Sequence, residues 1–401
     1  MKTKNLTILS IVVLLSMSLW FSASAVIPQM ALAWGLSASV KAWMTMSVQI
    51  GFVFGALLSA ALNWADRFSA TKVMAISAVL GAVANSCIPL FSSGPESALV
   101  FRFVTGAAMA GVYPPAMKIV ASWCKADRGR GIGLLVAAVT LGSGLPHLLN
   151  ALSSQISLLP DWRLVMYGTS IQSLVAGGIV YRFVESGPHL GTAAKFDWKQ
   201  ATFGLTNRPT RLVNFGYFGH MWELYAVWAW VPIMLLSSYD TAGLPENIAR
   251  YAGFGVFLAG ACGSYVAGVS ADKIGRTKTT SVALFVSGTC CLIAGLLFSH
   301  PVLLTLICLV WGFFVIADSA QFSAALTELA DPRYIGTALQ VQTSLGFLVT
   351  LVTLQVVPII VENAGFEWAF LILFPGSIFG AISMLKLRSL PESIKLSQGR
   401  K

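Results

Sequence analysis

The chain has 401 residues, of which 56% are hydrophobic and only 10% are charged, and its formal net charge is +10. A soluble domain carries roughly 25% charged residues, so this composition excludes a water-soluble globular protein. Apolar runs of about 20 residues match the length of a helix that crosses a bilayer, whereas a β-barrel would show short alternating strands. We therefore expect an all-α membrane protein.

Twelve apolar runs follow one another, and we number them span one to span twelve. The first, 6–27, comes after Lys2 and Lys4 and resembles a signal peptide. Its length and the eleven runs after it favour a retained helix. The other spans are expected at 42–62, 73–91, 98–121, 131–152, 163–181, 212–236, 250–270, 279–298, 301–325, 336–360 and 368–387.

Spans six and seven are separated by a polar segment, 182–211, that holds Pro188 and Pro209. The segment divides the chain into six spans and six spans. We expect two pseudo-symmetric six-helix bundles. Their predicted bounds are 1–181 for the first bundle, 182–211 for a cytoplasmic linker, 212–388 for the second bundle and 389–401 for a cytoplasmic tail.

A short sequence motif that occurs twice indicates that the chain consists of two related halves. Residues 65–72 and 271–278 both begin Ala-Asp-basic, both end Thr-Lys, and both stand between two apolar runs, 206 residues apart. Asp161-Trp162 and Glu367-Trp368 echo each other at the same offset. A repeat on this scale in a membrane protein is typical of a transporter that rocks one half against the other.

The basic residues are distributed unevenly between the two sides of the membrane. Twenty-one of the 26 Lys and Arg residues fall on the side of the termini, and three fall in the opposite loops. This asymmetry predicts cytoplasmic termini and accounts for the positive charge without a nucleic-acid partner. The six cysteines avoid the outer loops, so we expect no disulfide framework, and we expect neither a metal nor a cofactor.

The loop after span eight carries a recognisable motif. Gly268, Asp272, Lys273, Gly275 and Arg276 follow the pattern Gly-x-x-x-Asp-Arg-x-Gly-Arg. With twelve spans and a central loop, the chain resembles the major facilitator superfamily. The resemblance implies secondary active transport by alternating access.

Other positions fit the resemblance less evenly. Arg102 and Gly106 in span four are similar to that family's Arg-x-x-x-Gly motif. The loop after span two departs from the signature, since Ser69 and Ala70 stand where Gly-Arg is expected. The resemblance therefore identifies the superfamily and leaves the subfamily open.

Three ionisable residues inside spans are candidates for proton coupling. Glu223 lies near the middle of span seven, His220 stands three residues before it on the same helix face, and Asp318 lies deep in span ten. A carboxylate at the bilayer centre costs about 2.5–3.5 kcal/mol on insertion scales, so it is usually paired or functional. The alternatives are structural pairing inside the bundle, or a metal held by Glu223 and His220, for which no further ligands are visible.

Substrate contacts are predicted from polar and aromatic side chains within spans. Arg102 either holds an anionic substrate or senses the proton, or else it snorkels to the interface. Trp228 and Trp230 can close the outer side of the site. The other candidates, each equally well explained by helix–helix contact, are Trp20, Tyr113, His147, Tyr217 and Gln321.

Charged residues at the cytoplasmic ends of helices are candidates for a gate. A carboxylate can dock on the N-terminus of a facing helix, which is worth up to about 1–2 kcal/mol when partly buried, and bases can pair with nearby acids. The alternative is that these residues only set topology. The predicted gating residues are Asp66, Arg67, Asp272, Lys273, Arg276 and Glu328.

These features predict a secondary transporter for a small solute, monomeric and embedded in a bacterial inner membrane. The chain has no nucleotide-binding Gly-x-x-x-x-Gly-Lys-Ser/Thr loop, so protons rather than ATP are the expected energy source. Arg102 favours an organic anion as substrate. The aromatic content favours the alternative, drug or siderophore efflux by proton antiport. A receptor or enzyme is the competing class, but the sequence shows no convergent catalytic set.

Overall fold

The computed structural model describes residues 1–62, 68–124, 128–156, 161–188, 203–331 and 334–400, and these residues form helices joined by short turns. Eight of the described helices are long and apolar enough to cross a membrane by themselves. Spans one and four are each divided into two helices, and spans seven and nine carry more polar residues. The expected all-α membrane architecture is confirmed.

Spans one to six form the first half of the chain. Span three begins at Ala70 and ends at Phe91, and the N-terminus of span six is capped by the Asp161 side chain, which accepts from the Arg163 N–H. The helices of this half are Lys2–Met17 and Ile27–Trp34 (span one), Ala38–Ala61 (span two), Ala70–Phe91 (three), Pro95–Met109 and Tyr113–Trp123 (four), Arg128–Ile156 (five) and Trp162–Phe183 (six).

Spans seven to twelve form the second half. Span eight ends at Gly275, whose φ of 99° lies in the region that favours glycine, and span nine starts immediately after this turn. The helices are Phe203–Thr206 and Arg208–Thr241 (span seven), Glu246–Ile274 (eight), Arg276–Ile293 (nine), Pro301–Ala317 and Ser319–Leu329 (ten), Ile335–Ala364 (eleven), and Phe366–Ala369 and Phe374–Arg388 (twelve), followed by 3₁₀ turns over Pro391–Gly399.

Span one is not the continuous helix that the sequence predicted. Its first helix ends at Met17, turns occupy 18–23, a 3₁₀ turn covers Ser24–Val26, and the second helix starts at Ile27. Irregular backbone at membrane depth is tolerated only where protein or a cavity satisfies its polar groups. The break therefore needs hydrogen-bond donors from neighbouring spans.

Span four is also broken, at 110–112, just before Tyr113. Pro114 and Pro115 stand in the first turn of the second helix. A proline there removes no hydrogen bond, because the N–H groups of the first turn have no partner within the helix, and its fixed φ suits the helix. The proline pair therefore follows the break and does not interrupt a helix.

Helices within each half pack on one another, and among the described residues the most extensive contacts between the halves join span five with span eight and span two with span eleven. Spans five and eight approach closely, since a methyl group at Gly133 would lie 3.3 Å from the Gly268 Cα. Spans two and eleven meet where Thr350 Oγ1 donates to Gln49 Oε1 at 2.5 Å. Because twelve spans alternate in direction, both termini lie at one end of the bundle, the terminal end.

Candidate transport site

A cavity lies between the two halves, about midway along the bundle. Its volume is about 60 Å³, far below the roughly 300–1,000 Å³ of small-molecule pockets, so the halves are drawn together around it. Seven spans contribute to its lining. Six apolar or weakly polar aromatic rings form much of the wall: Trp20, Phe21, Phe52, Tyr225, Trp228 and Phe347.

Trp20 is the centre of this aromatic wall. Its ring centroid lies 5.2 Å from those of Phe52 and Phe347 and 5.8 Å from that of Tyr225. Its indole Nε1 is buried and has no hydrogen-bond partner among the described residues. Since a buried N–H is normally paired, this donor is available to a bound solute.

The polar part of the lining is made of hydroxyl groups. Ser143 and Thr140 donate to carbonyls of their own helix, Val139 O and Val136 O, both at 2.9 Å, which leaves their oxygens as acceptors. No Lys, Arg, Asp, Glu or His belongs to the lining as far as the structure describes it. The lining hydroxyls belong to Tyr113, Thr140, Ser143, Tyr217, Tyr225, Ser319 and Thr343.

Arg102 is fully buried but stands outside this lining. Its guanidinium donates to Leu19 O at 2.9 Å, to Trp20 O, and to Met44 O at 3.1 Å. It also donates to Ser22 Oγ at 2.9 Å. Arg102 thus supplies donors to the broken backbone of span one, which holds Trp20 against the cavity.

His220 and Asp318 form a buried pair next to the cavity. His220 Nδ1 lies 2.8 Å from Asp318 Oδ1, and both side chains are 1% exposed. Asp318 stands at the junction of the two helices of span ten, directly before Ser319 of the lining. The short Nδ1–Oδ1 contact lacks hydrogen-bond geometry, and His220 Nε2 likewise has no hydrogen-bond partner in the described part of the chain.

Glu223 does not pair with His220. Its carboxylate accepts hydrogen bonds from Ser287 Oγ at 2.7 Å, Trp311 Nε1 at 2.6 Å, Cys291 Sγ at 3.4 Å and Ser377 Oγ. These donors lie on spans nine, ten and twelve, inside the second half and away from the cavity. The described residues hold no group of three or more metal-ligating side chains around it or elsewhere.

Two further sequence candidates lie outside the lining. His147 stacks on Phe257, with ring centroids 5.2 Å apart, and Phe257 in turn stacks on Trp228 at 4.3 Å. Gln321 Oε1 accepts from Arg276 Nη1 at 2.8 Å, which links it to the terminal end rather than to the cavity. Of the predicted substrate residues, the structure brings Trp20, Tyr113 and Tyr217 together at the cavity.

The terminal end carries a network of the predicted gating residues. Arg276 pairs with Glu328 through Nε–Oε2 at 2.8 Å and Nη2–Oε1 at 2.6 Å. The Asp272 carboxylate lies against the first turn of span five, where a methyl group at Gly129 would overlap it. Lys273 is exposed. Asp66 and Arg67 lie outside the described residues.

The C-terminal segment joins the same network. The Ser397 N–H donates to Glu328 Oε2 at 3.1 Å, and Ser397 Oγ donates to Ala271 O at 2.8 Å. Leu396 beside it is fully buried. The ends of spans eight and ten are thereby tied together through the tail.

Sequence reasoning missed most of the aromatic wall. Phe21, Phe52, Tyr225 and Phe347 stand in apolar runs where nothing separates a cavity-lining ring from a lipid-facing one. Trp228 was expected to close the outer side, and it lines the cavity instead. The only signal available was a polar side chain within a span. Such a side chain can line a cavity or form a buried hydrogen bond between helices, and the sequence does not distinguish the two.

Comparison with known proteins assigns the family. A family model described as Major Facilitator Superfamily matches residues 9–353 and 213–401. The chain belongs to the major facilitator superfamily. It is a multi-pass membrane transporter, not an enzyme, and the resemblance seen in its loop motif is confirmed.

Solved transporters share the fold at low sequence identity. The proton:xylose symporter XylE bound to 6-bromo-6-deoxy-D-glucose superposes with a TM-score of 0.77 at 15% identity, covering 96% of each chain. A bacterial homologue of the human lysosomal transporter Spinster, in an inward-facing and unoccupied conformation, gives 0.68 at 16% identity, covering 97% of this chain and 99% of that one. These likenesses show the fold of a superfamily transporter.

A curated relative is the niacin transporter NiaP of Acinetobacter baylyi. It is 22% identical over 246 residues, which cover 51% of this chain and 53% of that protein. The match therefore spans about half the length of the curated relative.

Proposed function

We propose that this superfamily member is a proton-coupled transporter of a small, uncharged, ring-containing solute. The observation that carries the proposal is an aromatic, hydroxyl-lined cavity without a charged side chain, beside the buried His220–Asp318 pair. The protein acts as a monomer in a bacterial inner membrane, with both termini in the cytoplasm.

The substrate class follows from the cavity walls. Aromatic rings stack on flat apolar faces, the Trp20 N–H offers one donor, and the Thr140 and Ser143 hydroxyls offer acceptors because their own protons are donated to helix carbonyls. The prediction of an organic anion as substrate rested on Arg102. Its N–H groups instead donate hydrogen bonds to backbone carbonyls. A xylose symporter and a niacin transporter are among the similar proteins, and both names refer to small ring compounds, of which xylose is uncharged and niacin is a carboxylic acid.

Proton coupling is assigned to His220 and Asp318. Imidazole and carboxyl groups both bind and release protons, and the buried carboxylate lies 2.8 Å from the imidazole, close enough for the two groups to share one proton. Ser319 follows Asp318 and Tyr217 stands one turn before His220, and both line the cavity. Substrate contacts and proton occupancy are therefore adjacent, as a coupling free energy between two sites requires.

Alternating access is assigned to the helix pairs that join the halves. At the terminal end, the Asp272 carboxylate of span eight lies against the first turn of span five and so joins the two halves. The Arg276–Glu328 pair holds spans nine and ten together beside this contact, within the second half. At the opposite end, Gln355 Nε2 donates to Ser39 Oγ at 3.0 Å between spans eleven and two. Rocking of one half on the other breaks one set of contacts while the other set stays formed.

A proteoliposome assay tests the proposal. Wild-type protein should accumulate labelled neutral ring compounds, such as a pentose or nicotinamide, when the pH gradient is imposed. His220→Gln and Asp318→Asn should lose accumulation and keep exchange of labelled for unlabelled substrate. Glu362→Gln, which changes an exposed acid near the end of span eleven, is the matched control and should behave as wild type.

The assay also separates the alternatives. Accumulation of nicotinate but not nicotinamide would restore the organic anion. The aromatic walls suit a hydrophobic drug as well, and proton-driven expulsion of a lipophilic dye with no uptake of ring compounds would establish efflux instead. Normal pH-driven accumulation by both His220→Gln and Asp318→Asn would remove the pair from the coupling role.

A further inference from the structure

A second crevice opens at the terminal end, between spans seven and twelve and far from the central cavity. Its volume is about 500 Å³, within the roughly 300–1,000 Å³ range of ligand pockets. Three cations surround it: Arg208 and Arg211 in the first turn of span seven, and Lys386 in the last turn of span twelve.

The wall of this crevice is apolar. Phe215 and Phe379 face each other across it with ring centroids 5.4 Å apart, and Ile382 continues the surface. Phe379 is 47% exposed and Ile382 46% exposed on the outside of the helix bundle. At the end of two membrane-spanning helices, such exposed apolar side chains face acyl chains.

The spacing of the residues divides the crevice into a basic layer at the terminal end and an apolar layer deeper in the membrane. Residues 208, 211, 212 and 215 share one face of span seven, and residues 379, 382, 383 and 386 share one face of span twelve, at helical intervals of three and four. On each helix the cation lies at the terminal end and the aromatic ring about one to two turns deeper. A ligand with an anionic head and an apolar tail matches this order.

No acid among the described residues holds the three cations. Within the described residues, neither Arg208 nor Arg211 nor Lys386 forms an ion pair. Arginine forks bind phosphate oxygens in pairs, and a lysine snorkels from the apolar layer to reach the same height. The positive-inside rule explains basic residues at this end, but it does not explain why three from two helices converge over one apolar crevice.

We propose that this crevice binds an anionic phospholipid from the membrane leaflet at the terminal end. Its phosphate contacts Arg208, Arg211 and Lys386, and an acyl chain lies along Phe215, Phe379 and Ile382. The lipid holds spans seven and twelve together at the surface where the linker enters the second half.

Native mass spectrometry of the full-length protein tests the site. Protein is equilibrated in detergent with equal amounts of phosphatidylglycerol and phosphatidylcholine of identical acyl chains, and retained lipids are counted. Wild type should retain at least tenfold more phosphatidylglycerol. The variant R208Q/R211Q/K386Q should retain the two lipids about equally, while R182Q/K278Q/K395Q, which removes the same charge from the same end, should keep the preference.

Single variants and competition by inorganic phosphate test the lipid site further. If the triple variant does not fold, Arg211→Gln and Lys386→Gln alone should each lower the preference two- to fourfold. Inorganic phosphate that displaces phosphatidylglycerol and stabilises the protein by itself would assign the site to a soluble phosphate compound. An unchanged preference in the triple variant, or occupation of the crevice by the chain's own linker, would overturn the proposal.

Discussion

Glu223 and His220 stand one turn apart in span seven, yet their side chains engage different helices. Among the described residues, the Glu223 carboxylate accepts from neutral donors on spans nine, ten and twelve, whereas His220 meets the carboxylate of Asp318. Glu223 thus links span seven to spans nine, ten and twelve within the second half. The other acid, Asp318, lies against the imidazole ring of His220.

Glu223→Gln should destabilise the protein without uncoupling it. The glutamine NH₂ turns a donor toward groups that are themselves donors, and each buried polar group left unpaired costs about 1–3 kcal/mol. We expect a lower thermal midpoint in detergent and normal pH-driven accumulation per folded molecule. Glu362→Gln, at an exposed position, is the control.

The opposite result for Glu223→Gln has a clear meaning. Unchanged thermal stability together with lost accumulation and retained exchange would place proton coupling on Glu223, as the sequence predicts. The measurements are differential scanning fluorimetry and uptake under an imposed pH gradient.

The fold was predictable because hydropathy alone records which segments cross the membrane. Runs of apolar residues predicted the twelve spans, and the motif in the loop after span eight indicated the superfamily. The break in span one was not predictable, since residues 18–23 are as apolar as their surroundings. Its only trace in the sequence is the buried base, Arg102, that satisfies its carbonyls.

The site was predictable only in part, for a related reason. A charge inside a span indicates that a partner exists but not which partner it is. Glu328 as the partner of Arg276 was foreseen because both stand at helix ends of the same half. The pairing of His220 with Asp318 depends on how spans seven and ten are rotated against each other, which no local pattern encodes.

Arg102→Lys should fail as a structural replacement. The guanidinium reaches three backbone carbonyls and Ser22 at once, and one ammonium nitrogen cannot span them. Since hydrogen bonds from a charged donor contribute about 1.5–3 kcal/mol each, we expect a large fall in the thermal midpoint and reduced transport of every substrate alike. Arg163→Lys, at a half-exposed side chain, is the control.

Substrate charge decides between the two roles of Arg102. If Arg102→Lys weakened transport of anions only and left neutral substrates unaffected, the residue would contact substrate after all. The comparison requires KM values for a charged and an uncharged analogue at equal membrane expression.

Trp20→Phe should weaken substrate binding about tenfold while the protein stays folded. The substitution keeps an aromatic ring against Phe52 and Phe347 but removes the unpartnered N–H, and one hydrogen bond contributes about 1 kcal/mol or slightly more. Isothermal titration of purified protein measures the change, with Trp43→Phe, a partly exposed residue, as the control. Equal affinity in Trp20→Phe would mean that the indole contributes only stacking.

The terminal end should open when the contact between Asp272 and span five is removed. Asp272→Asn deletes the charge that faces the positive end of that helix, and Gly129→Ala places a methyl group where the carboxylate lies. In a cysteine-free background carrying Thr343→Cys in the cavity lining, either change should raise labelling by an impermeant maleimide from the terminal side several-fold. Gly178→Ala, which meets open space, should leave labelling as in wild type. Labelling that does not respond to Asp272→Asn or Gly129→Ala would leave the loop motif with topology as its sole role.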